Sequence, residues 1–176
     1  NQKIVRMIHD RAKSAPKRIV FAEADQLDIL KAAQIVHEEG IGIPILLGKK
    51  EIISDLMESI DFDASIMIID PKTDEQDESR EKYANSFWET QKRKGKTLYE
   101  SRSLMRERNY YAAMMVRNGD ADAMLSGFSR KYPAVVKPIL EVHKRWPEAR
   151  TAVTPLKPST NQMRSLSQPY YRSSLE

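Results

Sequence analysis

Two carboxylates, Glu23 and Asp25, directly follow the short apolar run Lys17-Arg18-Ile19-Val20-Phe21-Ala22. At the end of a strand such a pair can do acid-base work or hold a ribose. The plainer and more frequent role of acids there is to cap the next helix. A second group, Ser126-Gly127-Phe128-Ser129-Arg130-Lys131-Tyr132, combines hydroxyls, a glycine that permits close backbone approach, two fixed cations and an aromatic face. Those are the parts needed to hold a phosphate-bearing ligand with a ring, and equally the parts of an ordinary surface loop. A third group, Lys92-Arg93-Lys94-Gly95-Lys96, is a basic cluster at a helix end. It reads as favourable charge at a helix C-terminus, or as a clamp for a nucleotide phosphate.

Other chemistry finds no residues to carry it. The 176 residues include no cysteine, which excludes a disulfide scaffold, a thiolate zinc site and a cysteine nucleophile. His9, His37 and His143 lie far apart, have no companion that marks a catalytic base, and leave no metal site to propose. Walker, Gly-x-Gly-x-x-Gly and Gly-x-Ser-x-Gly motifs are absent from the sequence. A net charge of +4 and a pI near 9.2 invite a nucleic-acid reading. Residues 1–143, however, balance 23 basic against 23 acidic side chains, so the whole excess sits in the last 33 positions. A nucleic-acid or anion-binding module built on residues 92–96 is therefore the weakest reading. No apolar run approaches the roughly 20 residues that span a bilayer, so no membrane partner is expected, and the expected location is cytoplasmic.

The elements that would position these groups alternate. Residues 1–14 have helical period through Ile4, Val5, Ile8 and Ala12, and Pro16 closes that helix. The first strand then leads into a helix over residues 26–39 that stops at Gly40. Ile43-Pro44-Ile45-Leu46-Leu47 and Ile66-Met67-Ile68-Ile69 read as strands buried on both faces, with a helix over residues 49–59 between them. This pattern predicts an α/β fold, a three-layer sandwich around a mainly parallel sheet. Residues 77–92, 97 onward and 110–118 read as helices, the second capped by Thr97 with Glu100 three positions on. Ala121-Asp122-Ala123-Met124-Leu125 is a fourth strand, residues 133–143 a helix, and residues 150–154 a fifth strand. Tyr110, Tyr111, Met114 and Met115 are expected in the core, while His9 and His143 are expected to be exposed. Beyond Pro155, two further prolines and five serines predict an irregular tail.

Several stretches resemble one family. Pro16-Lys17-Arg18-Ile19-Val20-Phe21-Ala22-Glu23, Lys94-Gly95-Lys96-Thr97-Leu98 and above all Gly119-Asp120-Ala121-Asp122-Ala123-Met124-Leu125-Ser126-Gly127 are similar to the phosphate acetyltransferases. That family takes in free phosphotransacetylases and the C-terminal domain of large bacterial NADP-dependent malic enzymes. The resemblance implies two α/β domains with coenzyme A in the cleft between them, of which this chain supplies the first. It divides the chain into a leading helix or linker (1–15), a phosphotransacetylase-like domain (16–145), and the start of a second domain with an irregular, non-native tail (146–176). The start at Asn1 and the Leu175-Glu176 end fit a piece of a longer protein.

The resemblance also implies roles. The acid-base aspartate and serine-arginine pair of active members belong to the second domain, so no catalytic residue is assigned and the fragment should not transfer acetyl groups alone. Ser126, Gly127, Ser129, Arg130, Lys131 and Lys137 are expected to line an acyl-CoA or phosphate site, with Glu23, Gln91, Lys92 and Lys94 as secondary candidates. Gln91 and Lys137 stand where active members resembling this chain carry arginine, a change that weakens bidentate anion contacts. This favours a regulatory domain of a malic enzyme, a parent that oxidatively decarboxylates malate to pyruvate, with acetyl-CoA as effector. The alternative is the N-terminal half of a phosphate acetyltransferase, with acetyl-CoA as substrate. NADP and a divalent metal would belong to the parent's other parts. The expected partners are the chain's own second domain, the malic-enzyme catalytic domain and further copies in a homo-oligomer.

Overall fold

The computed structural model describes residues 2–129 and 131–143. The predicted fifth strand and the tail lie outside these. The chain opens with helix α1 (Gln2–Ser14), whose Ile4, Val5, Met7 and Ile8 are all more than half exposed. Strand β1 (Lys17–Phe21) follows, then α2 (Leu27–Glu38), β2 (Gly42–Leu47), α3 (Lys50–Ser59) and β3 (Met67–Ile69). A helical stretch comes next: α4 (Asp77–Gln91), α5 (Leu98–Leu104) and α6 (Arg108–Arg117). Strand β4 (Ala123–Leu125) and helix α7 (Tyr132–His143) complete the described part.

The four strands form one sheet in the order β3-β2-β1-β4, and every pairing is parallel. Because side chains alternate across a strand, neighbours on β1 and β2 serve opposite layers. Val20, Ile45 and Leu47 point into a core with Phe87, Tyr110, Tyr111 and Met114 of α4 and α6. Phe21 and Leu46 point into a second core with Leu30 and Ala33 of α2 and Ile53 and Met57 of α3. This is the predicted three-layer arrangement, and Tyr110, Tyr111, Met114 and Met115 are buried as expected. The predicted capping box also forms, with the Glu100 backbone N–H donating to Thr97 and the Thr97 backbone N–H donating back to the Glu100 carboxylate.

Two expectations are corrected. Residues 66–69 are expected as a strand buried on both faces, but among the described residues β3 pairs only with β2, at the sheet edge, and Met67 is 60% exposed. Its apolar residues are still partly buried, Ile66 and Ile68 against one core and Ile69 against the other. His9 and His143 are half-buried rather than exposed. His9 meets Glu39 at 2.6 Å, linking α1 to the end of α2. Burial, with a smaller contribution from Arg117, pushes the His143 imidazole below its usual pKa.

After β3 the chain turns on a buried arginine. Arg80 of α4 donates to the carbonyls of Pro71 and Thr73 and pairs with Asp77. Those carbonyls have left the sheet and would otherwise be short of donors. Replacing Arg80 with leucine should cost about 3 kcal/mol by leaving them unsatisfied. The check is a lower urea midpoint at unchanged m-value.

Candidate functional site

In an open parallel sheet, ligands bind beyond the carboxyl ends of the strands, where consecutive crossovers leave in opposite directions. Here β1 runs to β2 and β3 on one side, and the chain then returns across the sheet to place β4 on the other side of β1. The switch point is therefore between β1 and β4. Two side chains from the β1 loop cross it. The Glu23 carboxylate accepts from the backbone N–H groups of Gly127 (2.8 Å), Phe128 (2.7 Å) and Ser129 (3.1 Å), and from the Ser129 hydroxyl (2.5 Å). Gly127 has a φ of +108°, which turns successive N–H groups toward one point and which a side chain rarely tolerates. Burial pushes the Glu23 carboxyl up, but these four hydrogen bonds outweigh it and hold the group below the usual carboxylate range.

Asp25 is taken too. Arg108, the first residue of α6, grips it through both guanidinium nitrogens at 2.6 and 2.8 Å. That paired hydrogen bond lowers the Asp25 carboxyl and raises the guanidinium. Neither acid caps α2, whose N-cap is Gln26 with no side-chain bond, so the expected capping role is corrected. Tertiary donors from α6 and the β4 loop compete for these carboxylates and win.

Around this knot lie two openings that share Glu107 and Asn109. One cleft of about 160 Å³ is bounded by Glu23, Asp25, Lys72, Arg106, Arg108 and Ser129, among others. A groove of about 230 Å³ runs past Tyr110, Ala134, Lys137 and Pro138. The sequence-derived candidates divide accordingly. Ser126 donates to Asn109 at 2.6 Å; Gly127 and Ser129 spend their donors on Glu23; Lys137 borders the groove; Lys131 is exposed just before α7. Arg130 lies outside the described residues.

Gln91, Lys92 and Lys94 line neither opening. Gln91 is buried, and its amide donates to the Glu141 carbonyl of α7 at 2.8 Å. Lys92 pairs with Glu89 at 2.6 Å and lies 5.1 Å from the Trp88 ring centre. Lys94 is exposed at the end of a 3₁₀ turn that Gly95 closes with φ +85°. Lys72, Arg106, Arg108 and Asn109 escaped the sequence reading. The available signal was topological: a helix that returns to begin a parallel strand must start at the carboxyl edge, so the first residues of α6 face the ligand end. Among the described residues no cluster of potential metal ligands occurs, and no helix is long and apolar enough to cross a membrane.

A doubly layered parallel sheet with polar loops gathered at its switch point defines a ligand-cleft domain of the α/β class. Residues 3–156 match the phosphate acetyl/butaryl transferase family, and the chain belongs to that family. It is 35% identical over 147 residues to a phosphate acetyltransferase of Thermoanaerobacterium thermosaccharolyticum, covering 84% of this chain and 44% of that protein. It is 31% identical over 136 residues to an NADP-dependent malic enzyme of Rhizobium meliloti, covering 75% of this chain and 18% of that protein. In structure it is similar to a phosphotransacetylase from Staphylococcus aureus, with a TM-score of 0.71, 26% identity, and coverage of 85% of this chain and 44% of the other. The chain thus spans less than half the length of these relatives.

Replacing Glu23 with glutamine puts an amide where three backbone N–H groups need acceptors. The variant should lose about 1–3 kcal/mol of stability at neutral pH. Because the folded-state pKa is lowered, the Glu23 contribution is complete above the ordinary glutamate value of about 4.3. It disappears as the pH falls through the lower folded value. Urea titrations from pH 7 to pH 3 should show the gap between the two proteins closing toward the acid end.

Proposed function

We propose that this chain is the first domain of a phosphotransacetylase-like regulatory module in an NADP-dependent malic enzyme, and that it contributes one wall of an acetyl-CoA site. The observation that carries the regulatory part is the placement of Gln91. Active members of the family resembling this chain carry an arginine at that position to hold coenzyme A; here the residue is a buried glutamine spent on the Glu141 carbonyl. A side chain committed to joining two helices has no donor fork left for a phosphate. Lys137 on the groove and Lys131 before α7 supply point charges in place of forks. The groove alone is smaller than the roughly 300 Å³ at which drug-sized ligand sites begin. A cofactor as large as acetyl-CoA would therefore need a second wall, which fits a domain that senses only as part of its parent. The parent would be a cytoplasmic homo-oligomer that decarboxylates malate, with NADP and a divalent metal held by its catalytic domain.

A second reading has its own support. The phosphate acetyltransferase relative is somewhat more similar than the malic enzyme one, at 35% against 31%, so the chain could be the N-terminal half of an enzyme that interconverts acetyl-CoA and acetyl phosphate. The parent protein decides between them. Under the regulatory reading, acetyl-CoA inhibits malate-dependent NADP reduction, and Lys131→Ala with Lys137→Ala raises the half-inhibiting concentration about tenfold, as expected for losing charge-assisted contacts. Acetyl phosphate formation by the parent with no malate activity would establish the second reading instead.

A further inference from the structure

Helix α6 ends at the one Asn-Gly step in the sequence, Asn118-Gly119. The ending is a Schellman turn: the Gly119 backbone N–H donates to the Val116 carbonyl at 3.2 Å, and that of Asp120 to the Met115 carbonyl at 2.9 Å. Gly119 takes a φ of +78°, which a side chain would strain, so the fold asks for glycine there. The same requirement creates a chemical liability. A glycine nitrogen has no adjacent side chain to shield it, and the preceding asparagine carries an electrophilic amide carbon one five-membered ring away.

The reaction this allows needs only water. The Gly119 nitrogen gives up its proton and bonds to Cγ of Asn118, the Cγ–Nδ2 bond breaks, and Nδ2 leaves with a proton as ammonia. Water then opens the cyclic imide at one of its two carbonyls, leaving either an aspartate or an isoaspartate whose main chain runs through the side-chain carbons. In the folded chain three features oppose ring closure. The Gly119 N–H is engaged with Val116. The Asn118 amide donates to the Met114 carbonyl at 2.8 Å, which holds Cγ back against the helix. The ψ of 2° at Asn118 eclipses its own nitrogen with that of Gly119, whereas the ring needs the Gly119 nitrogen eclipsed with Cβ.

The turn is also held from outside α6. Arg18 of β1 donates from a guanidinium nitrogen to the Gly119 carbonyl at 2.7 Å, and from its backbone N–H to the Asp122 carboxylate at 2.9 Å. Tyr83 of α4 donates to the Asp120 carboxylate at 2.5 Å. Strand β4 follows at once and pairs with β1 over only three residues.

We propose that Asn118-Gly119 is a site of spontaneous deamidation, gated by the opening of the turn that Arg18 holds shut. The modification is one-way. An aspartate at 118 has no side-chain N–H for the Met114 carbonyl and sets a negative charge at the negative end of α6. An isoaspartate adds a main-chain carbon between α6 and β4, which shifts the Gly119 carbonyl away from Arg18. This goes beyond the acyl-CoA reading and uses none of its residues.

The test follows the mass of tryptic peptide 118–130 while the 176-residue chain stands at mildly alkaline pH. Local opening sets the rate in the folded state, so the mass gain of deamidation should appear about tenfold or more faster in urea beyond the unfolding transition than in the folded chain. Arg18→Ala and Asp122→Ala release the turn and should each raise the folded rate about threefold or more, while the remote Lys31→Gln leaves it unchanged. Hydrogen exchange of the Gly119 amide in the unsubstituted chain reads the same opening, and its protection should match the ratio of unfolded to folded deamidation rates within about threefold. Equal rates in the folded chain and in urea, the folded wild-type rate in both turn variants, acceleration by Lys31→Gln, or a Gly119 protection unrelated to the rate ratio would each overturn the gate.

Discussion

The loop geometry at the ligand end of this domain depends on one carboxylate. Glu23 sits at the end of β1, the strand that touches both halves of the sheet, and reaches across the switch point to the loop after β4. Strand β4 is three residues long and, among the described residues, pairs with β1 alone, so that short ladder fixes the following loop weakly. Four hydrogen bonds to a charged acceptor do that instead. Hydrogen bonds to an ionised acceptor are stronger than those to a neutral one. A buried carboxylate left without them would cost more than they supply. The arrangement is thus cooperative: the loop satisfies the charge, and the charge shapes the loop.

That cooperation has a consequence for recognition. A glycine with positive φ followed by convergent backbone N–H groups is a common anion cradle, and in the sequence it reads as one. In the folded chain the cradle already holds an anion, supplied from 104 residues away. Asp25 and Arg108 repeat the pattern over 83 residues. Internal acids thereby convert two potential ligand sites into tertiary cross-links between the first strand and the last crossover.

The sheet was legible because each strand is short, apolar and bounded by a glycine or an acid, and because the intervening text has helical period. In the run Ile43 to Leu47, which reads as buried on both faces, Pro44 to Leu47 are buried while Ile43 is 51% exposed. β3 misled because edge position is a property of strand order, which the apolar run 66–69 does not encode. The site was legible in part. The Ser126-Gly127 loop reads as a possible phosphate loop from its hydroxyls, glycine and cations, and the structure turns its Gly127 and Ser129 donors onto Glu23. Their acceptor was read as a helix cap, since local frequency favours capping and no periodicity reports a contact spanning 104 positions. The Arg106-Glu107-Arg108-Asn109 stretch was passed over because its charges look like a solvated helix start. Its meaning comes from the return crossover, which sets the start of α6 at the carboxyl edge.

Gln91 shows how one polar side chain can join two helices. A glutamine can turn inward, donate to the Glu141 carbonyl and join α4 to α7. Tyr110 reinforces the same joint by donating to the Glu141 carboxylate at 2.7 Å, and Arg117 by donating to the Val142 carbonyl at 2.6 Å. Three polar side chains thus hold the end of α7, the helix whose opposite end carries Lys131 and the β4 loop. The end of α7 is thereby tied to the helical layer by side chains from both α4 and α6.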